Sequence, residues 1–140
     1  MRISPALFAM ALIAWPLPGL ADNAVEGSRR VVEKQIEAFL RDDAAAAYAF
    51  AAPGIQARYP DKDSFFDMVK KSYQPVYKPG NYAFGRTQTI DDGAMVLHEL
   101  LIEGRDGKDW KAVYQLLRQP DGSYRIGGVA IVPETDTKGI

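Results

Sequence analysis

The chain contains no cysteine, and it has one histidine and two tryptophans in 140 residues. Without thiols there can be no disulfide framework, redox dithiol, thiol nucleophile, zinc knuckle or iron–sulfur cluster, so any fold it forms rests on packing. Because His98 is the only imidazole, every serine–histidine hydrolase and every histidine-ligated metal site would have to pass through it. No Gly-x-Ser-x-Gly elbow presents a nucleophile. Neither sign of charge dominates: 17 basic side chains face 18 acidic ones. That balance leaves no footprint for nucleic acid or anionic lipid. Arg29-Arg30 and Lys70-Lys71 lie among acids in helical patterns and read as solvated faces. A hydrophobic run long enough to span a membrane, about 20 residues, is missing too. The longest uninterrupted one is Ala6 to Trp15.

That short run belongs to a recognisable layout. Arg2 supplies a positive start, Pro16 and Pro18 break the apolar stretch, and Gly19 and Ala21 put small residues where a signal peptidase cuts. Residues 1–21 therefore read as a secretory signal peptide cleaved after Ala21, directing the product to the periplasm. With no cysteine near the cleavage point there is nothing to lipidate. Cleavage removes only one charge, Arg2, and leaves a product beginning at Asp22 with a net charge of −2, the size of one domain. The domain is expected over residues 22–133, with a polar tail over 134–140.

The domain divides into a helical half and a strand half. Val32, Ile36, Phe39 and Leu40 recur at helical spacing, and Asp42-Asp43 caps a second helix over 44–52, which Pro53-Gly54 stops. Asp61 precedes a third helix near 62–73, with Phe65, Val69 and Tyr73 on its buried edge. Asp61, Asp63 and Asp67 do not make a calcium loop, because Phe65 occupies a ligand position and no glycine bends the chain. From Tyr82 the period becomes two. Strands are expected over 82–90, 94–103, 108–118 and 123–132, separated by turns rich in Asp and Gly. Such short links make an antiparallel meander, so the fold class is α+β, with three N-terminal helices on a curved four-stranded sheet.

Turn length decides which side chains share a face. With Gly104 to Gly107 as the loop, Glu103 opposes Lys108, Glu99 opposes Ala112 and Leu97 opposes Tyr114. The 119–123 turn sets Leu116 against Ile126 and Tyr114 against Gly128. One face then collects Met95, Leu97, Glu99, Leu101, Trp110, Ala112, Tyr114, Leu116, Ile126, Gly128, Ala130 and Val132, and should carry the helices. The first hairpin, with Asp92-Gly93 in its loop, sets Arg86 opposite Glu99. A lone carboxylate on an apolar face must be paired. Glu99 and Arg86 either form a structural ion pair or floor a pocket walled by Trp110 and Tyr114, where Glu99 takes a proton or a ligand's donor. His98 falls on the second face, with Val96, Leu100, Ile102, Val113, Val129 and Ile131. That face is too apolar for open water, and a second copy of the chain covering it is expected.

Several segments carry a resemblance. They are Gln35-Ile36-Glu37-Ala38-Phe39, Tyr59-Pro60-Asp61, Tyr73-Gln74-Pro75-Val76-Tyr77, and the run from Tyr114-Gln115-Leu116 through Pro120-Asp121-Gly122-Ser123-Tyr124 to Val129. Across Val32–Val132 the chain resembles a bacterial domain-of-unknown-function family, number 4864. It also resembles the wider cone-shaped superfamily named after nuclear transport factor 2, which includes ketosteroid-isomerase-like members. Family members often carry tryptophan and cysteine where this chain has Tyr124 and Val129. The resemblance implies a cone fold with a helix–sheet pocket, and the residues themselves lead to an expectation of no cofactor and no metal. It implies no activity, since its motifs are packing and turn signatures. The expected function is binding of a small apolar or amphipathic ligand, or of a protein partner, in that pocket. The alternative is an isomerase- or hydrolase-like enzyme using Glu99 with Tyr114 or His98.

Overall fold

The structure, a computed structural model, describes residues 20–134. The expected leader thus lies almost wholly outside the described residues, as does nearly all of the tail. Five helices precede the sheet: α1 (Leu20–Leu40), α2 (Ala44–Ala49), α3 (Pro53–Arg58), α4 (Lys62–Ser72) and α5 (Gln74–Tyr77). Four strands follow, β1 (Asn81–Ile90), β2 (Met95–Glu103), β3 (Asp109–Arg118) and β4 (Tyr124–Pro133), in one antiparallel sheet of order β1-β2-β3-β4. The fold is α+β, as the change of period indicates. No helix among the described residues is long and apolar enough to cross a membrane.

The helical half is more broken than three helices. Asp43 caps α2 as expected, its Oδ1 accepting from the Ala46 N–H at 3.0 Å. The chain then leaves the helix at Phe50 instead of running to Ala52. Phe50 to Ala52 lies beside β4 in a parallel bridge, with Ala52 N donating to Ile126 O and Ile126 N to Phe50 O, each at 2.8 Å. Pro53 does not terminate a helix but starts one, because its fixed φ suits a first turn whose N–H has no partner anyway. Asp61 occupies the N-cap position of α4, yet its side chain makes no capping bond; Ser64 Oγ donates to the Asp61 carbonyl instead.

Sheet register differs from the expectation at the β2–β3 turn, and in the other two hairpins only beyond a bulge. The β2–β3 turn takes in Lys108: Gly104 N donates to Lys108 O at 2.8 Å, and Glu103 pairs with Asp109. That one-residue change moves β2's alternate set to the other side of the sheet relative to β3. Leu100 now opposes Ala112, His98 opposes Tyr114, and Glu99 opposes Val113. In the first hairpin Ile90 pairs with Met95 and Thr87 with His98, but a bulge at Gly85-Arg86 shifts Phe84 onto Leu100. The third hairpin sets Leu116 against Ile126 as expected, and a second bulge at Gly127 then brings Val129, not Gly128, opposite Tyr114.

The helices cover Tyr82, Phe84, Val96, His98, Leu100, Ile102, Ala112, Tyr114, Leu116 and Ile126, which form the main core with Val32 and Ile36 of α1. A second core joins Ala38 and Phe39 to Ala47, Phe65, Phe66 and Val69. Here the Phe66 and Tyr77 rings meet edge to face at 5.5 Å. Leu40, expected in the α1 stripe, is 40% exposed.

The β1–β2 turn depends on one glycine. Gly93 is buried at φ +87°, its carbonyl accepts from Tyr124 OH at 2.6 Å, and an added Cβ would stand 3.1 Å from Ala24 Cβ. Gly93→Ala should therefore destabilise the protein by about 2 kcal/mol, through positive-φ strain plus crowding. Gly54→Ala, on an open stretch of α3, should cost nothing and stabilise slightly. Equilibrium urea unfolding of both variants measures the difference.

Candidate functional site

The residues proposed to form one pocket are dispersed. Tyr114 lies beneath the helices with no exposure, and its hydroxyl has no hydrogen-bond partner among the described residues. Burial, with a small contribution from Tyr82, pushes that phenol far above its ordinary range, so it stays protonated. Trp110 is on the same side, paired with Ile102 at the far end of the sheet. Glu99 faces the opposite side, half-buried, with its Oε1 3.8 Å from Lys111 Nζ. It also fills the space above Gly85, where a Cβ would sit 2.8 Å from Glu99 Oε1. Arg86 is exposed in the adjacent bulge, and Glu99's salt-bridge partner is Lys111. The β2–β3 register is the cause: Glu99 cannot share a face with Tyr114, so a site combining them, or combining Glu99 with His98, is not formed. The same change corrects the second face. Val96, His98, Leu100 and Ile102 are covered by helices, whereas Met95, Leu97, Leu101, Val113, Leu117 and Val132 form the uncovered side.

His98 is the most constrained polar group in the interior. Its Nε2 is 2.7 Å from Ser28 Oγ and its Nδ1 3.0 Å from Thr87 Oγ1, and both His98 and Ser28 are fully buried. The Ser28 hydroxyl already donates to the Ala24 carbonyl one turn back in α1. It can only accept from the imidazole, which assigns the proton to Nε2 and makes Nδ1 the acceptor for Thr87. That order is the reverse of nucleophile activation, in which the imidazole must receive the serine proton. The chain Thr87–His98–Ser28–Ala24 ties α1 to β1 and β2, and Phe84 stacks edge-on against the ring at 5.7 Å.

A half-open cavity lies elsewhere, under α3 and α4. Where the β4 bulge carries Gly127-Gly128 away from the helices, a cavity of about 360 Å³ opens between β4 and the helical layer. Phe39, Met68, Val69, Tyr73, Val76 and Val129 are among the residues that line it. Gln35, 3% exposed, reaches the cavity from α1. Its Nε2 donates to Ala47 O at 3.2 Å, and its carbonyl oxygen has no donor among the described residues. Arg58, exposed at the end of α3, stands at the rim with its guanidinium over the Tyr59 ring. None of Arg86, Glu99, Trp110 and Tyr114 lines this cavity. The consecutive glycines in β4 were the one available sign of it in the sequence.

The profile of the family described as "Domain of unknown function (DUF4864)" matches residues 21–139. The chain belongs to this family. No curated protein matches it. The DUF4864 match covers every helix and strand of the fold except the first residue of α1. The cavity wall is therefore part of the DUF4864 domain itself.

Burial, with a smaller contribution from Arg29, lowers the His98 pKa to about 4 from its ordinary 6.5. A depressed pKa means that the unfolded chain takes up the proton first as pH falls. Stability from this site is complete above pH 6.5 and declines through the window down to about 4, by about 3 kcal/mol in all. As the chain has one histidine, its imidazole NMR signal can be followed directly. A midpoint near 4 is expected, and one near 6.5 would contradict the buried neutral ring.

Proposed function

We propose that this DUF4864 protein is an exported, periplasmic domain of the cone-shaped nuclear transport factor 2-like type, released by cleavage after Ala21. In this reading it binds a small amphipathic ligand in the cavity under α3 and α4. The observation that carries the reading is the composition of that cavity. A cavity of about 360 Å³ whose lining is more apolar than polar offers the Gln35 carbonyl oxygen as an acceptor and Arg58 as a cation at its rim. Apolar walls with few polar groups are the usual make-up of small-molecule sites, and the volume falls in their lower range. An apolar body would enter between Met68, Val69 and Val129, with an anionic end left at Arg58.

A second reading concerns the uncovered sheet face. Leu101 is 40% and Val132 49% exposed there, beside Met95, Leu97, Val113 and Leu117. At its centre Glu99 and Lys111 sit diagonally on neighbouring strands. A two-fold axis through that centre sets each subunit's Glu99 near its mate's Lys111, so the face is complementary to a second copy of itself in shape of charge as well as apolarity.

For the ligand, native mass spectrometry of protein purified from its own host should show a retained small molecule. Decanoate at about ten times its Kd should raise Tm by roughly 5 °C. Ile55→Trp, which fills the cavity from α3, should abolish the rise while the circular dichroism spectrum stays intact; a rise that persists in this variant would place the ligand elsewhere. For the second copy, sedimentation should give a dimer that Leu101→Lys converts to monomer. A monomer at all concentrations would remove the pairing and leave the ligand reading untouched.

A further inference from the structure

A second cavity, of about 570 Å³, lies between the C-terminal end of α4, α5 and the β2–β3 turn. It meets the first only at Ser72, which lines both. Its charge is one-sided in a chain that is otherwise balanced. Lys70 and Lys71 come from α4, Lys78 from the end of α5 and Arg105 from the turn, against one carboxylate, Asp106. Asp106 is already occupied, its Oδ1 accepting from the Lys108 N–H at 3.1 Å within the turn.

Local structure accounts for some of these cations. Lys70 and Lys71 suit the carbonyl end of α4, and Lys70 also lies 3.6 Å from Asp67 and over the Phe66 ring. Lys78 pairs with Asp42 at 2.8 Å, which raises its pKa, while the charge of Arg105 acts on it in the opposite sense. Arg105 and Lys71 have no carboxylate within 4 Å among the described residues. Arg105 thus shares the groove with Lys78 without a paired carboxylate of its own among the described residues. The turn that carries it is tightly wound: a Cβ on Gly104 would stand 2.6 Å from Asp106 Oδ1 and 3.2 Å from the Lys108 carbonyl. The floor beside these cations is aromatic. Trp110 and Tyr77 line the groove, and Trp110 Nε1 lies against the turn, 3.6 Å from where a Cβ on Gly104 would stand.

We infer that this groove binds a small organic dianion, of the phosphate-monoester class, held by Arg105 and Lys71 with its planar body against Trp110. Two uncompensated cations on facing elements match a doubly charged group better than a single carboxylate. The indole supplies the stacking wall. A concave site of this volume fits a small molecule, and the balanced charge of the chain gives no extended basic surface for a polymer.

The experiment follows Trp110 fluorescence in the full chain carrying Trp15→Phe, where Trp110 is the single tryptophan. Phenyl phosphate should change the emission saturably, and the affinity should fall as salt rises. Benzoate, inorganic phosphate and phenol should each bind about tenfold more weakly or worse, since each lacks part of the match. Arg105→Ala and Lys71→Ala, both at exposed positions, should each weaken phenyl phosphate about tenfold. Arg30→Ala on α1 should leave it unchanged, with far-UV circular dichroism confirming the fold of all three. No saturable response up to about 10 mM phenyl phosphate, or equal affinity in the Arg105 and Lys71 variants, overturns the site. Benzoate binding as well as phenyl phosphate overturns the dianion assignment. Tighter binding of a short oligouridylate, lost with the same two residues, overturns the small-ligand assignment in favour of RNA.

Discussion

The hydrogen bond from Gly104 N to Lys108 O closes a turn of five residues, and the remainder of the molecule is arranged around its length. A turn of that length pairs Glu103 with Asp109, which aligns Val96, His98, Leu100 and Ile102 of β2 with Trp110, Ala112, Tyr114 and Leu116 of β3 on one side. That side is broad and apolar enough to accept α1, and α1 brings Ser28 to the one polar group within it, His98. The alternating set, with Glu99 and Lys111 at its centre, is left uncovered. A turn shorter by one residue would bury the Glu99 carboxylate and expose Val96, Leu100 and Ile102 together with His98. The energetic penalty for such a slip is the reason the register is unique.

Two bulges then adapt the sheet to its cover. The one at Gly85-Arg86 lets Phe84 reach Leu100 and the His98 ring while Ile90 stays on the other side. The one at Gly127 lets β4 pair with Phe50–Ala52 as far as Ile126 and then turn away, and the cavity beneath α3 is the space this leaves. Both candidate ligand sites are therefore products of irregularity. One sits where β4 departs from the helices, and the other where a glycine turn lifts Arg105 toward α4 and α5.

These causes explain what could be read in the sequence. The Asp-Gly turns, the switch of period after Tyr82, the stripe Val32–Ile36–Phe39 and the cap at Asp43 are local signals, and the structure contains what they indicate. Whether Lys108 belongs to a turn or to a strand is decided by main-chain geometry at Gly104 and Gly107, the latter at φ +79°, and composition does not reveal it. The break at Phe50 depends on hydrogen-bonding groups of β4 far along the chain. Glu99 was a sound candidate given its register and fails with it. Gln35, Arg58 and Arg105 have ordinary surface-like surroundings in sequence, and only tertiary placement brings them to cavities.

The parallel bridge between Ala51 and Ile126 has a bearing on the order in which the molecule can be completed. Its two halves are about 75 residues apart, and β4 is the last strand of the sheet in chain order. Closing so long a loop costs entropy that only the final contacts offset. The segment after α2 therefore has no strand to pair with, and the cavity lacks the wall that β4 supplies, until β4 is in place. The joint between the helical half and the sheet thus depends on a strand far along the chain from the helices it meets.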